Sequence, residues 1–67
     1  MNTKRRVYVR YVPEKHCIFV SYYDRAKGTR RCAGMFDSRE HSISDAESWV
    51  RGNDKLQLVC AISGKPI

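Results

Sequence analysis

Residues 30–52, RRCAGMFDSREHSISDAESWVRG, decide the fold, because a basic strand ends there in a turn that leads into a short helix. The strand covers residues 29–36, and its residues alternate between two faces. Strict alternation places Arg31 with Ala33 and Met35 on one face. The other face is the better core candidate, with Arg30 at its open end, and it carries Arg30, Cys32, Gly34 and Phe36. Gly34 permits a bulge or a close approach of another backbone.

The second half of the stretch predicts a helix of about ten residues. Its apolar side chains recur at helical spacing and form the expected buried stripe: Ile43, Ala46, Trp49 and Val50. Ser44 with Glu47 fits a capping box, and Ser42 with Asp45 is the alternative N-cap. Gly52 marks the end of the helix. The stripe predicts that this helix packs over a sheet.

Two further strands precede this stretch. Residues 7–12, VYVRYV, and residues 17–23, CIFVSYY, are rich in β-branched and aromatic side chains, and Pro13 begins the turn between them. Residues 24–28, DRAKG, predict a hairpin loop. The second strand is apolar on both faces, which favours a central position in the sheet.

One more strand is predicted at residues 56–62, LQLVCAI, with alternate side chains on the inner face: Leu56, Leu58, Cys60 and Ile62. Residues 1–6 are interpreted as a flexible basic arm and residues 63–67 as a tail. The whole chain therefore predicts a single α+β domain of the order β-β-β-α-β. Its mostly antiparallel sheet of three to four strands is covered on one face by one helix.

The size of the chain argues against an enzyme. With 67 residues the core is thin, and ligand pockets usually need ~300 Å³ or more. Asp37, Glu40 and His41 precede the helix, but an exposed turn does not shift pKa values enough for acid–base work. His16 and Cys17 are strand neighbours and point to opposite faces. We therefore expect no catalytic residue, no cofactor and no small-molecule substrate.

The cysteines predict a reducing compartment. Cys17, Cys32 and Cys60 are odd in number and widely spaced, unlike a secreted disulfide framework. Together with the two histidines they do not match zinc-ligand spacing, so no metal site is expected. The sequence also lacks the apolar run of a signal peptide or a membrane span. We expect a cytoplasmic protein.

The charge indicates a polyanionic partner. Thirteen Lys and Arg oppose seven Asp and Glu, giving a net charge of +6 and a pI near 9.6. Residues 1–34 hold nine of the basic side chains and only two acidic ones, whereas residues 35–67 are almost neutral. Such a balance favours nucleic acid first, an acidic protein surface second and an anionic membrane third.

If the helix covers one face of the sheet, the other face and the hairpin loop offer a basic, aromatic surface. The candidate nucleic-acid-binding residues are Arg5, Arg6, Tyr8, Arg10, Arg25, Lys27, Arg30 and Arg31. Strands enter the major groove of duplex DNA with Arg or Lys on base edges, and this is the favoured interpretation. Tyr8 and Tyr23 also suit stacking on single-stranded bases. The alternative is an ordinary half-solvated sheet face.

Residues 7–51 resemble the three-stranded-sheet-plus-helix domain of plant AP2 factors and of the arm-binding domains of tyrosine recombinases. The likeness rests on two strands, a hairpin with Lys27-Gly28, and a basic strand that ends in Gly34-Met35-Phe36-Asp37-Ser38 before the helix. It implies major-groove contact through basic residues of the strands and loop: Arg10, Arg25, Lys27, Arg30 and Arg31. The strand predicted at residues 56–62 departs from that family, whose domain ends after its helix.

The order strands, helix, strand is also similar to small bacteriophage proteins that bind and inhibit host enzymes, such as an inhibitor of host RNA polymerase. The terminal LQLVCAI segment fits that topology better. This resemblance implies a host protein as partner, in a bacterial or phage-infected cell. Pairing of two copies into a homodimer through an edge strand is left open.

Overall fold

The computed structural model describes residues 4–67. In chain order its elements are β1 (Arg5–Val12), a single 3-10 turn (Pro13–Lys15), β2 (Cys17–Asp24), β3 (Thr29–Asp37), α1 (Ile43–Arg51) and β4 (Leu56–Leu58). The strands form one sheet in the order β3-β2-β1-β4. Both hairpin pairs are antiparallel, and β4 runs parallel to β1. The expected α+β fold with a mostly antiparallel sheet is confirmed, and β2 is an inner strand.

The core lies between α1 and one face of this sheet, which we call the helix face. Its buried side chains are Val7, Ile18, Val20, Ala46, Val50 and Leu58. The opposite, open face is defined by the residues of other parity: Tyr8, Arg10 and Val12 of β1, Cys17, Phe19, Ser21 and Tyr23 of β2, and Arg30, Cys32 and Met35 of β3. Successive strand residues alternate between these faces, so the buried valines and isoleucine fix which face the helix covers.

A bulge interrupts the pairing of β2 with β3. Val20 lies opposite Gly34, but its neighbour Ser21 lies opposite Cys32, so Ala33 is an extra residue in β3. An extra residue shifts the alternation of side chains on one side of the bulge relative to the other. Residues of β3 after Ala33 therefore lie on the faces that strict alternation predicts. Residues of β3 before Ala33 lie on the opposite faces.

The exchange corrects the faces predicted for the two arginines. Arg30 lies opposite Tyr23 on the open face, and Arg31 lies opposite Tyr22, whose ring packs against the core. Strict alternation had placed them the other way round. Arg30, not Arg31, therefore shares the open face with Arg10.

The bulge adjoins a close contact between helix and sheet. A Cβ atom at Gly34 would lie 3.0 Å from two ring carbons of Trp49, so the indole occupies the space a side chain would need. The Trp49 ring also meets Phe36 edge-on, with centroids 5.7 Å apart. Gly34 thus adjoins the bulge that the sequence allowed there, whereas its close contact is with the Trp49 side chain and not with another backbone.

The apolar stripe of the helix is only half buried, which corrects the sequence-based expectation. Ala46 and Val50 are inaccessible, but Ile43 and Trp49 remain 45% and 40% exposed. The helix packs against β4, β2 and β1, and the Trp49 ring lies over Gly34 of β3. Its stripe is therefore wider than the sheet surface beneath it.

The helix begins at a reciprocal capping box built on Ser42, the alternative N-cap. The Asp45 backbone N–H donates to Ser42 Oγ at 3.2 Å, and the Ser42 N–H donates to Asp45 Oδ2 at 2.9 Å. The box predicted for Ser44 and Glu47 is wrong, because Ser44 already lies in the first helical turn.

Replacing Ser42 by alanine is expected to lower the free energy of unfolding by about 1 kcal/mol, since the Asp45 backbone N–H loses the hydroxyl oxygen that accepts it. Ser44→Ala is the matched control, because the same hydroxyl is removed two residues later and caps nothing. Its effect should stay within about 0.5 kcal/mol. Urea unfolding of both variants measures the difference, and equal losses would contradict the assignment of the cap.

The first basic residues belong to the sheet rather than to an arm. Arg5 and Arg6 open β1, opposite Leu56 and Gln57 of β4. The Arg5 N–H donates to the Lys55 carbonyl at 3.0 Å. Parallel pairing with β4 explains the early start of β1, and residues 1–3 of the predicted arm lie outside the described residues.

The end of the chain turns back instead of extending β4. That strand stops at Leu58, and the Cys60 N–H donates to the Lys65 carbonyl while the Ile67 N–H donates to the Leu58 carbonyl. Ile62 is 97% exposed, so its predicted place on the inner face is wrong. Residues 63–67, interpreted as a tail, form the returning arm of this turn.

Candidate nucleic-acid interface

Basic side chains converge at one end of the sheet. The antiparallel β1–β2 pair brings the start of β1 to the β2–β3 hairpin, and parallel β4 starts at the same end. We call this the basic end, and it consists of Lys4, Arg5, Arg6, Arg25, Lys27, Arg30, Arg31 and Lys55. Residues distant in the sequence are thus concentrated by topology at one pole of the fold.

Acidic side chains lie mostly at the other end. The 3-10 turn, the end of β3 and the start of α1 carry four of the seven carboxylates: Glu14, Asp37, Glu40 and Asp45. The chain is therefore polarised along the strand direction. This separation of charge along the strands differs from the separation in sequence between residues 1–34 and residues 35–67.

The hairpin loop presents its cations to solvent. Asp24 Oδ1 accepts the backbone N–H groups of Ala26 and Lys27 at 3.1 and 3.4 Å, and Gly28 takes the left-handed φ of 65° that closes the loop. The one carboxylate within the hairpin is thus used to shape the backbone. Arg25 and Lys27 are exposed beside it.

The basic end is not neutralised by ion pairs. Within residues 4–67 the pairs closer than 4.0 Å are Arg39 with Asp37 and His41 with Asp45, both at the opposite end. Clustered cations that form no ion pairs create a positive potential that attracts polyanions over a Debye length, ~10 Å at 0.1 M salt.

The open face places aromatic rings next to the basic end. Tyr8 lies opposite Ser21, and Tyr23 lies opposite Arg30 at the hairpin. The Tyr23 side chain is 61% exposed. Arg10 lies opposite Phe19 two residues farther along β1. An exposed tyrosine beside an arginine provides both a stacking surface and a charge.

Two of the predicted binding residues lie on the helix face instead. The Arg5 guanidinium carbon lies 4.2 Å from the centroid of the Tyr22 ring, in a cation–π contact. Arg31 lies opposite the same tyrosine. Arg5 and Arg31 therefore belong to the basic end but flank the sheet from the side opposite Tyr8 and Arg10. Detecting this from sequence requires the position of the bulge.

A groove of about 290 Å³ follows the open face of β2. Its lining residues are Arg10, Val12, Lys15, Phe19, Ser21, Arg30, Arg31 and Cys32. Ser21 is only 2% exposed and lies at the floor. Sequence reasoning missed Lys15, Phe19 and Ser21 as members of a common site. The pairing of Phe19 with Arg10 depends on strand register, which the sequence pattern alone does not fix.

In the polar cluster before the helix, the Asp37 carboxylate is held by hydrogen bonds from Arg39. Arg39 donates from Nε and Nη2 to the two carboxylate oxygens of Asp37 at 3.0 and 2.9 Å. These hydrogen bonds, with one from the Arg39 backbone N–H, lower the pKa of Asp37 to about 2. An exposed carboxylate held by arginine is a stable anion and a poor proton acceptor at neutral pH. Asp37 therefore fixes the Arg39 side chain in the turn after β3.

Three further observations concern other classes of site. Within residues 4–67 no three His, Cys, Asp or Glu side chains come together in a way that would hold a metal ion. No helix in this part of the chain is long and apolar enough to cross a membrane. Backbone hydrogen bonds from Ser63 and Ile62 lower the pKa of the Cys60 thiol.

Comparison of the chain with protein-family models, with curated proteins and with solved structures gives no match. The resemblances to AP2-type domains and to small phage proteins consequently stay predictions from sequence. The functional argument depends on the geometry of the basic end and of the open face.

Proposed function

We propose that this chain binds nucleic acid, with duplex DNA as the favoured form, through its basic end and open face. The observation that supports this proposal is the concentration at one pole of eight cations without carboxylate partners, next to the exposed ring of Tyr23. A polyanion gains most of its binding energy from such a cluster through release of its counterions.

The two parts of the surface have different tasks in this proposal. Arg25 and Lys27 protrude from the hairpin and contact phosphates, which fixes the position of the protein without reading sequence. Arg10 and Arg30 project from the open face, where arginine side chains reach base edges when strands enter the major groove. The free thiols of Cys17, Cys32 and Cys60 support a reducing, cytoplasmic location for this activity.

The test is a titration of the chain against a labelled duplex of mixed sequence at 50 and 200 mM salt, followed by fluorescence anisotropy. If six cations contact phosphates, the association constant should fall about a thousandfold between the two salt concentrations, because each contact releases counterions. No binding at 50 mM salt, or binding that does not depend on salt, would reject the proposal.

A host protein is the second candidate partner, and the outer edge of β3 favours it. This strand has nine residues and no neighbour beyond it within residues 4–67, and Met35 on it is 64% exposed. Open edges accept an additional strand from another protein or from a second copy. A pull-down from bacterial lysate after nuclease treatment distinguishes the candidates. Stoichiometric retention of one protein, such as a subunit of RNA polymerase, would favour this function.

A further inference from the structure

The groove on the open face has the composition of a nucleotide site. Four of its eight lining residues are cationic. Lys15 in the 3-10 turn and Arg30 at the hairpin stand at its two ends, and Arg10 lies opposite Phe19 between them. Arg31 borders the groove, but its register position belongs to the helix face. Phe19 lies between these ends on the middle strand. A nucleic-acid strand laid along the groove would thus have phosphate-binding groups on both sides of an aromatic ring.

The floor of the groove adds a polar group. Ser21 is the next residue after Phe19 on the same face of β2, is 2% exposed and is among the residues that line the cavity. Every base has a π-face that stacks on an aromatic ring, and its polar edge also requires a hydrogen-bonding group. The ring and the hydroxyl are adjacent members of one row of side chains, so one base can meet both.

The dimensions favour an unpaired base. The groove measures about 290 Å³, close to the lower limit of ~300 Å³ for sites that hold small organic ligands. It follows β2 between β1 and β3, which are two strand spacings or ~9.6 Å apart. A single base with its sugar and phosphate fits that space, whereas a stacked base pair is too wide.

We infer that this groove receives one nucleotide taken out of the helical stack, with its base on Phe19 beside Arg10 and its phosphates toward Lys15 and Arg30. The inference rests on the proposed nucleic-acid binding and makes it more specific. Duplex DNA that carries an unpaired nucleotide becomes the preferred ligand. The basic end holds the flanking paired segment, and the groove holds the unpaired base.

The test compares two duplexes of equal length and sequence, one fully paired and one with a single extra thymidine in one strand, at 50 mM salt. The chain is expected to bind the bulged duplex about tenfold more tightly, the usual contribution of stacking one base on an aromatic side chain. Phe19→Leu keeps an apolar side chain of similar size and removes the aromatic face, so it should abolish this preference. Met35→Ala changes the side chain opposite Phe19 on β3, which does not line the groove, and should retain the preference for the bulged duplex.

The outcomes test the inference about the groove separately from the proposal of nucleic-acid binding. Equal binding of both duplexes by the unmodified chain would overturn the groove while leaving nucleic-acid binding in place. A preference for the bulged duplex that persists in Phe19→Leu would also overturn it, because the flexibility of bulged DNA would then explain the difference. Absence of binding to either duplex would overturn both inferences.

Discussion

Replacing Arg25 and Lys27 together by alanine is expected to lower the affinity for duplex DNA about fiftyfold near 0.1 M salt. Each lost phosphate contact reduces the salt slope by ~0.9, which corresponds to nearly one decade in the association constant at that concentration. Both side chains are exposed in the β2–β3 hairpin, so the fold should be unaffected. Anisotropy titrations at several salt concentrations measure the affinity and the slope in one experiment.

The matched control removes the same charge from elsewhere. Arg39 and Lys65 are also exposed, and they lie in the turn after β3 and in the C-terminal turn. Their double replacement by alanine lowers the net charge equally and should change the affinity less than threefold. If both double variants lose affinity to the same extent, net charge and not the basic end governs binding.

The second large effect concerns stability. Ile18→Ala is expected to cost about 3 kcal/mol, because Ile18 is 1% exposed and the deleted methyl groups leave a cavity between sheet and helix. A chain of 67 residues has a total stability of roughly 3 to 10 kcal/mol. The variant should therefore unfold at much lower urea concentration or be unfolded in water.

Ile62→Ala provides the same chemical change at a position that is 97% exposed. Its effect should lie within about 0.5 kcal/mol. The comparison also tests the end of β4, since a strand continuing to residue 62 would place Ile62 in the core. Comparable destabilisation by the two substitutions would show that the inner face extends beyond Leu58.

The parts of the fold set by local chemistry were predictable from sequence. Alternating β-branched residues gave the three long strands, and the hairpin followed from Asp24 and Gly28, whose side-chain acceptor and positive φ close the loop. The helix followed from its apolar spacing. The choice between Ser42 and Ser44 as N-cap stayed open because both fit the same motif, and only the backbone angles separate them.

The parts set by long-range pairing were not predictable. β4 stops at Leu58 because the Leu58 carbonyl then accepts the Ile67 N–H, a contact between residues that no local pattern relates. The exposure of Trp49 depends on how far the helix reaches over β3. Apolar periodicity indicates which side of a helix faces the protein, but it does not indicate how wide the opposing surface is.

The candidate site was predictable in charge and not in arrangement. Composition identified the arginines and lysines, and all those within residues 4–34 except Arg10 and Lys15 converge at the basic end. Their division between faces depends on one inserted residue, Ala33, which exchanges the sides of Arg30 and Arg31. Gly34 indicated that a bulge is permitted in this strand, but no sequence signal identified Ala33 as the extra residue.

Trp49, packed on Gly34, gives the molecule a built-in optical reporter. It is the only tryptophan in the chain, and its indole lies between the helix and the strand on the face opposite the groove. Its emission therefore responds to separation of α1 from the sheet. Ligands on the open face leave the surroundings of the indole unchanged, so the intrinsic fluorescence of this chain separates unfolding from binding.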